Sequence, residues 1–143
     1  PNGGVTVMVS VGEQGQGNDA IYTQIAADAV GVDMAQVKVV TGDTEVTPYG
    51  GGTWASRGAG IGGEAVLLAG QALRENIVKV AAVILKRDGS TLAVRRGRIV
   101  DANTGEELLP LAERATQAGP SIASVAPAGT SAVAPLLRCI QTW

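Results

Sequence analysis

The 143-residue chain has no histidine, no phenylalanine and a single cysteine. Without His, a Cys/His zinc site and any His-based catalytic triad are excluded within this chain. One Cys excludes a disulfide framework, and Cys139, with only Arg138 as a basic neighbour, reads as an inert thiol. Aromatic residues make up 3% and charged residues 17%, so the core is expected to be aliphatic and much of the surface small or apolar. A net charge of −2 gives no electrostatic footprint for nucleic acid or an anionic membrane. No run reaches the roughly 18 apolar residues of a membrane span. No basic segment followed by an apolar stretch marks a signal peptide, so the expected location is cytoplasmic. The chain starts without Met, close to a strand, and reads as a fragment of something longer.

What the chain does have is periodic apolar segments separated by glycine loops. Val5, Val7, Val9 and Val11 alternate with Thr6, Met8 and Ser10, the pattern of a half-buried strand. Asn18 and Asp19 are N-cap candidates for a helix carrying Ile21, Ile25 and Ala29, which Gly31 stops. Val37 to Val40 is a short β-branched strand. From Gly63 to Leu85, the residues Val66, Ala69, Leu73, Ile77, Val80 and Ile84 form a helical stripe. At 1.5 Å per residue this helix is about 34 Å long. Asp88-Gly89 and Arg96-Gly97 turn the chain through a hairpin, Leu92–Val94 and Arg98–Val100. A helical turn is expected over Pro110–Arg114. From Thr116 to Pro135 the sequence is mostly Ala, Gly, Pro, Ser and Thr, with few large side chains to offset ordering entropy. The expected organisation is therefore a domain over 1–115 and a loosely ordered tail over 116–143. The fold class is α+β: a two-layer mixed sheet with two helices on one face, in the order strand, helix, strand, long helix, hairpin.

Two glycine-rich loops, each feeding a helix, carry the chemistry. The first is Gly12-Glu13-Gln14-Gly15-Gln16-Gly17, and the second runs from Pro48-Tyr49-Gly50-Gly51-Gly52 to Thr53-Trp54-Ala55-Ser56-Arg57-Gly58. Loops of this kind expose backbone N–H groups to an anion or a polar heterocycle. Alone, Gly15-Gln16-Gly17 also reads as a tight turn needing positive φ, and the second loop as one packed on its own Trp54. Neither is a dinucleotide fingerprint or a Walker A loop. The Gln16 amide, flanked by glycines, is expected to be unshielded and able to donate to and accept from a ligand ring. Asp43 and Glu45 read as solvated turn acids, because nothing nearby is arranged to raise a pKa.

In series, the motifs are specific. Gly15-Gln16-Gly17, Gln24 to Val32, Val39-Val40-Thr41-Gly42-Asp43-Thr44, Pro48 to Arg57 and Gly62-Gly63-Glu64-Ala65-Val66 resemble the xanthine dehydrogenase/aldehyde oxidase family. Within it, the chain is most similar to the molybdopterin-binding large subunit of the aerobic carbon monoxide dehydrogenase type, over Val5 to Glu113. The resemblance implies a molybdenum–molybdopterin cofactor, in bacteria often the cytosine dinucleotide form. It implies hydroxylation of aldehydes or N-heterocycles with water, or oxidation of carbon monoxide. Electrons would leave through [2Fe–2S] clusters and FAD on partner subunits, beside the remainder of the large subunit. Carried over residue by residue, the cofactor contacts are Gly15, Gln16 and Gly17 in the first loop and Ala55, Ser56, Arg57 and Gly58 in the second.

The resemblance has departures. The family's catalytic base is a Glu in a downstream Gly-Xaa-Gly-Glu motif. Gly60-Ile61-Gly62-Gly63-Glu64 looks like it, but its flanking Ala-Ser-Arg and Ala-Val place it in the earlier loop, so no catalytic residue is assigned. Ala20 stands where the family usually has Thr, and the resemblance fades after Ala115. The isolated chain is expected to show no turnover. The alternative reading is a non-catalytic interaction module derived from that domain, with self-association into a homo-oligomer as its partnership.

Overall fold

The computed structural model describes residues 3–47, 49–112, 122–123 and 137–142, the last two segments through their backbone. Strand β1 (Val5–Val9) is followed by helix α1 (Asn18–Val30), a short 3-10 turn and strand β2 (Val37–Thr41). A π-helical turn (Gly58–Gly62) leads into helix α2 (Gly63–Leu85), and strands β3 (Leu92–Arg95), β4 (Arg98–Asp101) and β5 (Glu107–Pro110) follow. Strands β6 (Ile122–Ala123) and β7 (Leu137–Thr142) complete the order. The mixed α/β class and the expected element order are both present.

The single expected sheet is two sheets. One runs β2-β1-β7-β6 and the other is the antiparallel β3-β4-β5. β1 pairs in parallel with β2, from Val5 opposite Val37 to Val9 opposite Thr41, because α1 returns the chain to the same end. On its other side β1 pairs antiparallel with β7. Of the tail expected to be loosely ordered, β6 and β7 thus lie in a sheet, and the rest falls outside the described residues. Of the helical turn expected over Pro110–Arg114, Pro110 instead ends β5, Leu111 and Ala112 are helical, and residues 113–114 lie outside the described residues.

The alternation of β1 resolves as predicted, with Val5, Val7 and Val9 fully buried and Thr6 and Met8 half-buried. Gly31 ends α1 in the left-handed conformation (φ 88°), and its N–H donates to the Ala27 carbonyl. The expected stripe of Ile21, Ile25 and Ala29 is rotated: Tyr22, Ala26, Ala27, Ala29 and Val30 are buried, while Ile21 and Ile25 are only half-buried. The reason is that α1 is covered on two sides, by β1 and by α2, and small residues fill both contacts.

Helix α2 matches its expected bounds and bridges two cores. Its first half (Ala65, Val66, Ala69, Leu73) packs with β1 and α1. Its second half (Ile77, Val78, Ala81, Ala82, Leu85) packs on Leu92, Val94 and Ile99 of the three-stranded sheet. Val80, placed on the apolar stripe from sequence, is 47% exposed, because the stripe drifts as α2 passes from one core to the next. Arg96 and Gly97, both at positive φ (49° and 71°), form the two-residue turn of the β3–β4 hairpin.

The helices cross through glycine. A Cβ on Gly62 would lie 2.5 Å from the Tyr22 hydroxyl, one on Gly63 3.0 Å from Ile25 Cδ1, and one on Gly70 2.6 Å from Ala29 Cβ. These contacts advance together along both helices, so the N termini of α1 and α2 lie at the same end. A Gly70→Val substitution is therefore expected to destabilise the chain by about 1–3 kcal/mol through overpacking. Gly60→Ala, where the added Cβ meets nothing within 4 Å, is expected to stay within about 1 kcal/mol of wild type. Urea denaturation midpoints compare the two directly.

Candidate functional site

Each glycine loop precedes one helix, so the crossing of α1 and α2 brings the loops together. The Gly12 carbonyl is their junction. It accepts a hydrogen bond from Thr53 Oγ1 of the second loop at 2.7 Å, and longer ones from Asn18 Nδ2 at 3.3 Å and Gln16 Nε2 at 3.4 Å. Asn18 is buried, and its side chain lies against Gly58, where a Cβ would come within 2.6 Å of Oδ1. Beneath it, the Tyr22 hydroxyl donates to the Gly58 carbonyl at 3.1 Å, across 36 residues of chain. Burial, with added repulsion from Asp19 and Glu13, raises the Tyr22 pKa to about 12.

The first loop is organised by a residue that sequence reasoning passed over. One oxygen of the Glu13 carboxylate accepts from the N–H groups of Gly15 (2.6 Å) and Gly17 (2.9 Å), and the other from Asp19 N–H (3.1 Å). Gly15 and Gly17 need positive φ (94° and 85°) to aim those N–H groups inward. Neither Asn18 nor Asp19 caps α1; Gly17 is the capping residue and makes no side-chain bond, so Glu13 supplies the acceptors. Donation from Gly17 and Asp19 holds the Glu13 carboxyl below its usual range. The expected exposed cradle for a ligand anion is thus filled by the chain's own carboxylate.

Gln16 is likewise not free. Its Oε1 accepts from Gln14 N–H at 2.6 Å while Nε2 reaches back to Gly12, so the amide closes on its own loop. It remains exposed at the rim of a cleft of about 390 Å³. That cleft is lined by Gln14, Gln16, Asn18 and Ile21 from the first loop and α1, and by Thr53, Trp54, Ser56, Arg57, Gly58 and Ala59 from the second. Of the residues expected from sequence, Gln16, Ser56, Arg57 and Gly58 meet there. Gly15 and Gly17 shape the turn behind it, and Ala55 does not line it. The signal for Gln14, Asn18 and Thr53 lay in the loops already singled out, as polar residues flanking the glycines.

Trp54 does not bury itself in its loop: it is 64% exposed, with its indole N–H donating to the Gly51 carbonyl at 2.8 Å. The Arg57 guanidinium lies 5.8 Å from its ring centroid, at the limit of a cation–π contact. Ala55 and Ser56 are consecutive non-glycine residues in the left-handed region (φ 51° and 56°), a conformation that costs roughly 1–2 kcal/mol per residue. This bend swings the chain from the exposed Trp54 into the π-helical turn, a feature frequent at functional sites. Arg57 Nε is buried with no hydrogen-bond partner among the described residues, and Arg57 makes no ion pair among them. An unsatisfied buried donor is uncommon in a folded protein and marks this spot as a candidate contact for a bound acceptor. Asp43 and Glu45 stay in an exposed turn, the Asp43 carboxylate accepting from Glu45 N–H at 3.0 Å. Among the described residues, no group of three or more His, Cys, Asp or Glu could hold a metal, and no helix is long and apolar enough to cross a membrane.

Residues 1–132 match the molybdopterin cofactor-binding domain family. The chain belongs to that family. It is 37% identical over 109 residues to the xanthine dehydrogenase molybdenum-binding subunit of Escherichia coli O157:H7, covering 76% of this chain and 14% of the relative. It is 35% identical over 86 residues to the carbon monoxide dehydrogenase large chain of Hydrogenophaga pseudoflava, covering 60% of this chain and 11% of the relative. Among solved structures, quinoline 2-oxidoreductase from Pseudomonas putida 86 superposes with a TM-score of 0.73 and 32% identity, over 100% of this chain and 18% of that one. The Cu,Mo-CO dehydrogenase superposes at 0.71 with 25% identity, over 100% and 17%. The chain is a molybdopterin-binding domain of the kind found in these large subunits and spans about a seventh or less of the curated relatives' length.

The raised Tyr22 pKa has a sign that can be tested. The folded state holds the phenol proton more tightly than the unfolded chain, so this contribution is complete below about pH 10 and is lost as pH rises towards 12. Tyr22→Phe is expected to flatten that alkaline loss. It should also cost about 0.5–1.5 kcal/mol at neutral pH through loss of the hydrogen bond from the Tyr22 hydroxyl to the Gly58 carbonyl. Urea melts at neutral and alkaline pH measure both effects.

Proposed function

We propose that this domain forms one wall of the molybdenum cofactor pocket of a molybdenum hydroxylase large subunit. The observation that carries the proposal is the junction at Gly12, which sets Gln16 of one glycine loop and Ser56 and Arg57 of the other around a single cleft. The donor set suits the group. A pterin is a flat polar heterocycle recognised by amides, hydroxyls and backbone donors at close range, and the cofactor's phosphate is matched by Arg57 Nε, which has no hydrogen-bond partner among the described residues. Gln16 would turn its amide from its own loop to the ring, Ser56 would add a hydroxyl, and Gly15, Gly17, Ala55 and Gly58 would keep the backbone close. The form carried over from the resemblance is the cytosine dinucleotide.

When bound, the cofactor supplies the two-electron redox chemistry for hydroxylating aldehydes or N-heterocycles with water, or for oxidising carbon monoxide. The chain's own residues bind and orient it. Glu64 is exposed on the first turn of α2 and does not line the cleft, so it is not the proton-transferring base of this reading. The base and substrate contacts would come from the remainder of the large subunit, with iron–sulfur and FAD centres on partner subunits in the cytoplasm. By itself the domain would have no turnover.

One observation favours a second role for the chain, on a surface away from the cleft. Val80 and Val83 of α2 are 47% and 79% exposed, an apolar strip suited to packing against another domain or a second copy. Sedimentation of the isolated chain separates the two, a stable dimer supporting the self-associating module.

Gln16→Ala in the assembled large subunit is expected to lower molybdenum content about tenfold at limiting cofactor, the loss of one or two hydrogen bonds. Elemental analysis of purified protein reads the effect. Unchanged, stoichiometric molybdenum in Gln16→Ala and Ser56→Ala would remove the cleft from the cofactor site.

A further inference from the structure

We propose that Glu13 is a positioning residue: its carboxylate is the built-in anion that closes the N terminus of α1 and fixes the Gly15–Gly17 turn, so that Gln16 stands at the cleft. The part concerning Gln16's use rests on the cofactor reading; the part concerning the turn does not.

The argument starts from unsatisfied donors. The first N–H groups of a helix have no partner within it, and two glycines at positive φ add further inward-facing N–H groups. Left empty, this cluster would attract any small anion and leave the loop loose. Glu13 fills it from within, with both oxygens used and three N–H groups satisfied at 2.6–3.1 Å. Charge-assisted bonds of this kind are shorter and stronger than neutral ones.

The consequence reaches Gln16, which lies between two of the glycines held by Glu13. With Gly15 and Gly17 pinned, the backbone of residue 16 is fixed at both ends. Its amide can then meet Gln14 N–H at 2.6 Å and Gly12 at the loop junction. Gln14 N–H makes no bond to Glu13, so its protection reports on Gln16 alone.

The titratable groups electrostatically coupled here are Asp19 and Tyr22 on α1: both Glu13 and Asp19 raise the Tyr22 pKa. The Asp19 carboxylate is engaged by the Thr41 hydroxyl at 3.3 Å. Because the Glu13 carboxyl titrates below its usual range, its contribution is present above the ordinary carboxyl pKa and is lost as pH falls through the lower folded value.

The experiment is amide NMR on the full 143-residue chain, wild type against Glu13→Ala and Glu13→Gln. In wild type, the Gly15, Gly17 and Asp19 amides should shift together on acidification, with one midpoint below that of an ordinary Glu. Glu13→Gln keeps the shape of the side chain and should abolish that midpoint. In Glu13→Ala, hydrogen-exchange protection should fall about tenfold or more at those three amides and also at Gln14, with the amides in the middle of α1 unchanged. Loss at the three amides with full protection at Gln14 would reduce Glu13 to a local cap. Retention of the midpoint in Glu13→Gln would assign it to Asp19 instead; either result overturns the proposal. If Glu13→Ala does not fold, the Gln14 exchange rate in Glu13→Gln decides the matter. None of these readouts involves the cofactor, so failure here is separable from failure of the cofactor reading.

Discussion

The close crossing of α1 and α2 is the constraint on which the other features depend. Asn18, Tyr22, Ile25 and Ala29 on one helix meet Gly58, Gly62, Gly63 and Gly70 on the second segment, in that order. No larger residue fits at those four glycines without displacing a neighbour. Because the contacts advance in the same sense, both helix N termini emerge at one end, each carrying its glycine loop. The cleft is a by-product of helix packing. It is made where two loops that the sequence separates by some forty residues cannot avoid each other, and the Gly12–Thr53 bond sets their spacing.

Around that crossing, the aliphatic composition explains the rest of the architecture. With no Phe and few aromatics, the buried volume is filled by Val, Ala, Leu and Ile, and Tyr22 is the one large aromatic in the described core. Its hydroxyl is the polar handle that large apolar side chains lack, and it is spent on the Gly58 carbonyl directly under the second loop. Core and site therefore share a residue. The two-core arrangement of α2 works alongside this: one end is held against β1 and α1, the other against the β3-β4-β5 sheet. The loop at its N terminus is thus carried by a helix fixed along its length.

Much of this was legible in the chain because strong local signals agree with the global fold. The alternation of Val5 to Val11, the stop at Gly31, the Arg96-Gly97 turn and the bounds of α2 all follow from period and turn chemistry. The ordered series of motifs identified the family before any geometry was known. What escaped reading depends on contacts rather than on pattern. Ile21, Ile25 and Ala29 keep helical spacing, yet α1 buries the neighbouring face because two elements cover it. β5 is four residues with no alternation, and β7 follows a stretch whose composition suggests no structure. Glu13 escaped for another reason: a carboxylate among glycines looks solvated until the N–H groups around it are placed. Gln16 was expected to be open and is instead folded onto its own loop.

The central claim is that both loops touch one cofactor. A structure of the full-length large subunit carrying its molybdenum cofactor tests it most directly. The account predicts polar atoms of Gln16 and Ser56 within about 3 Å of the pterin, and the Arg57 guanidinium against its anionic part. A cofactor bound elsewhere, with the cleft between the loops filled by protein side chains, would contradict it.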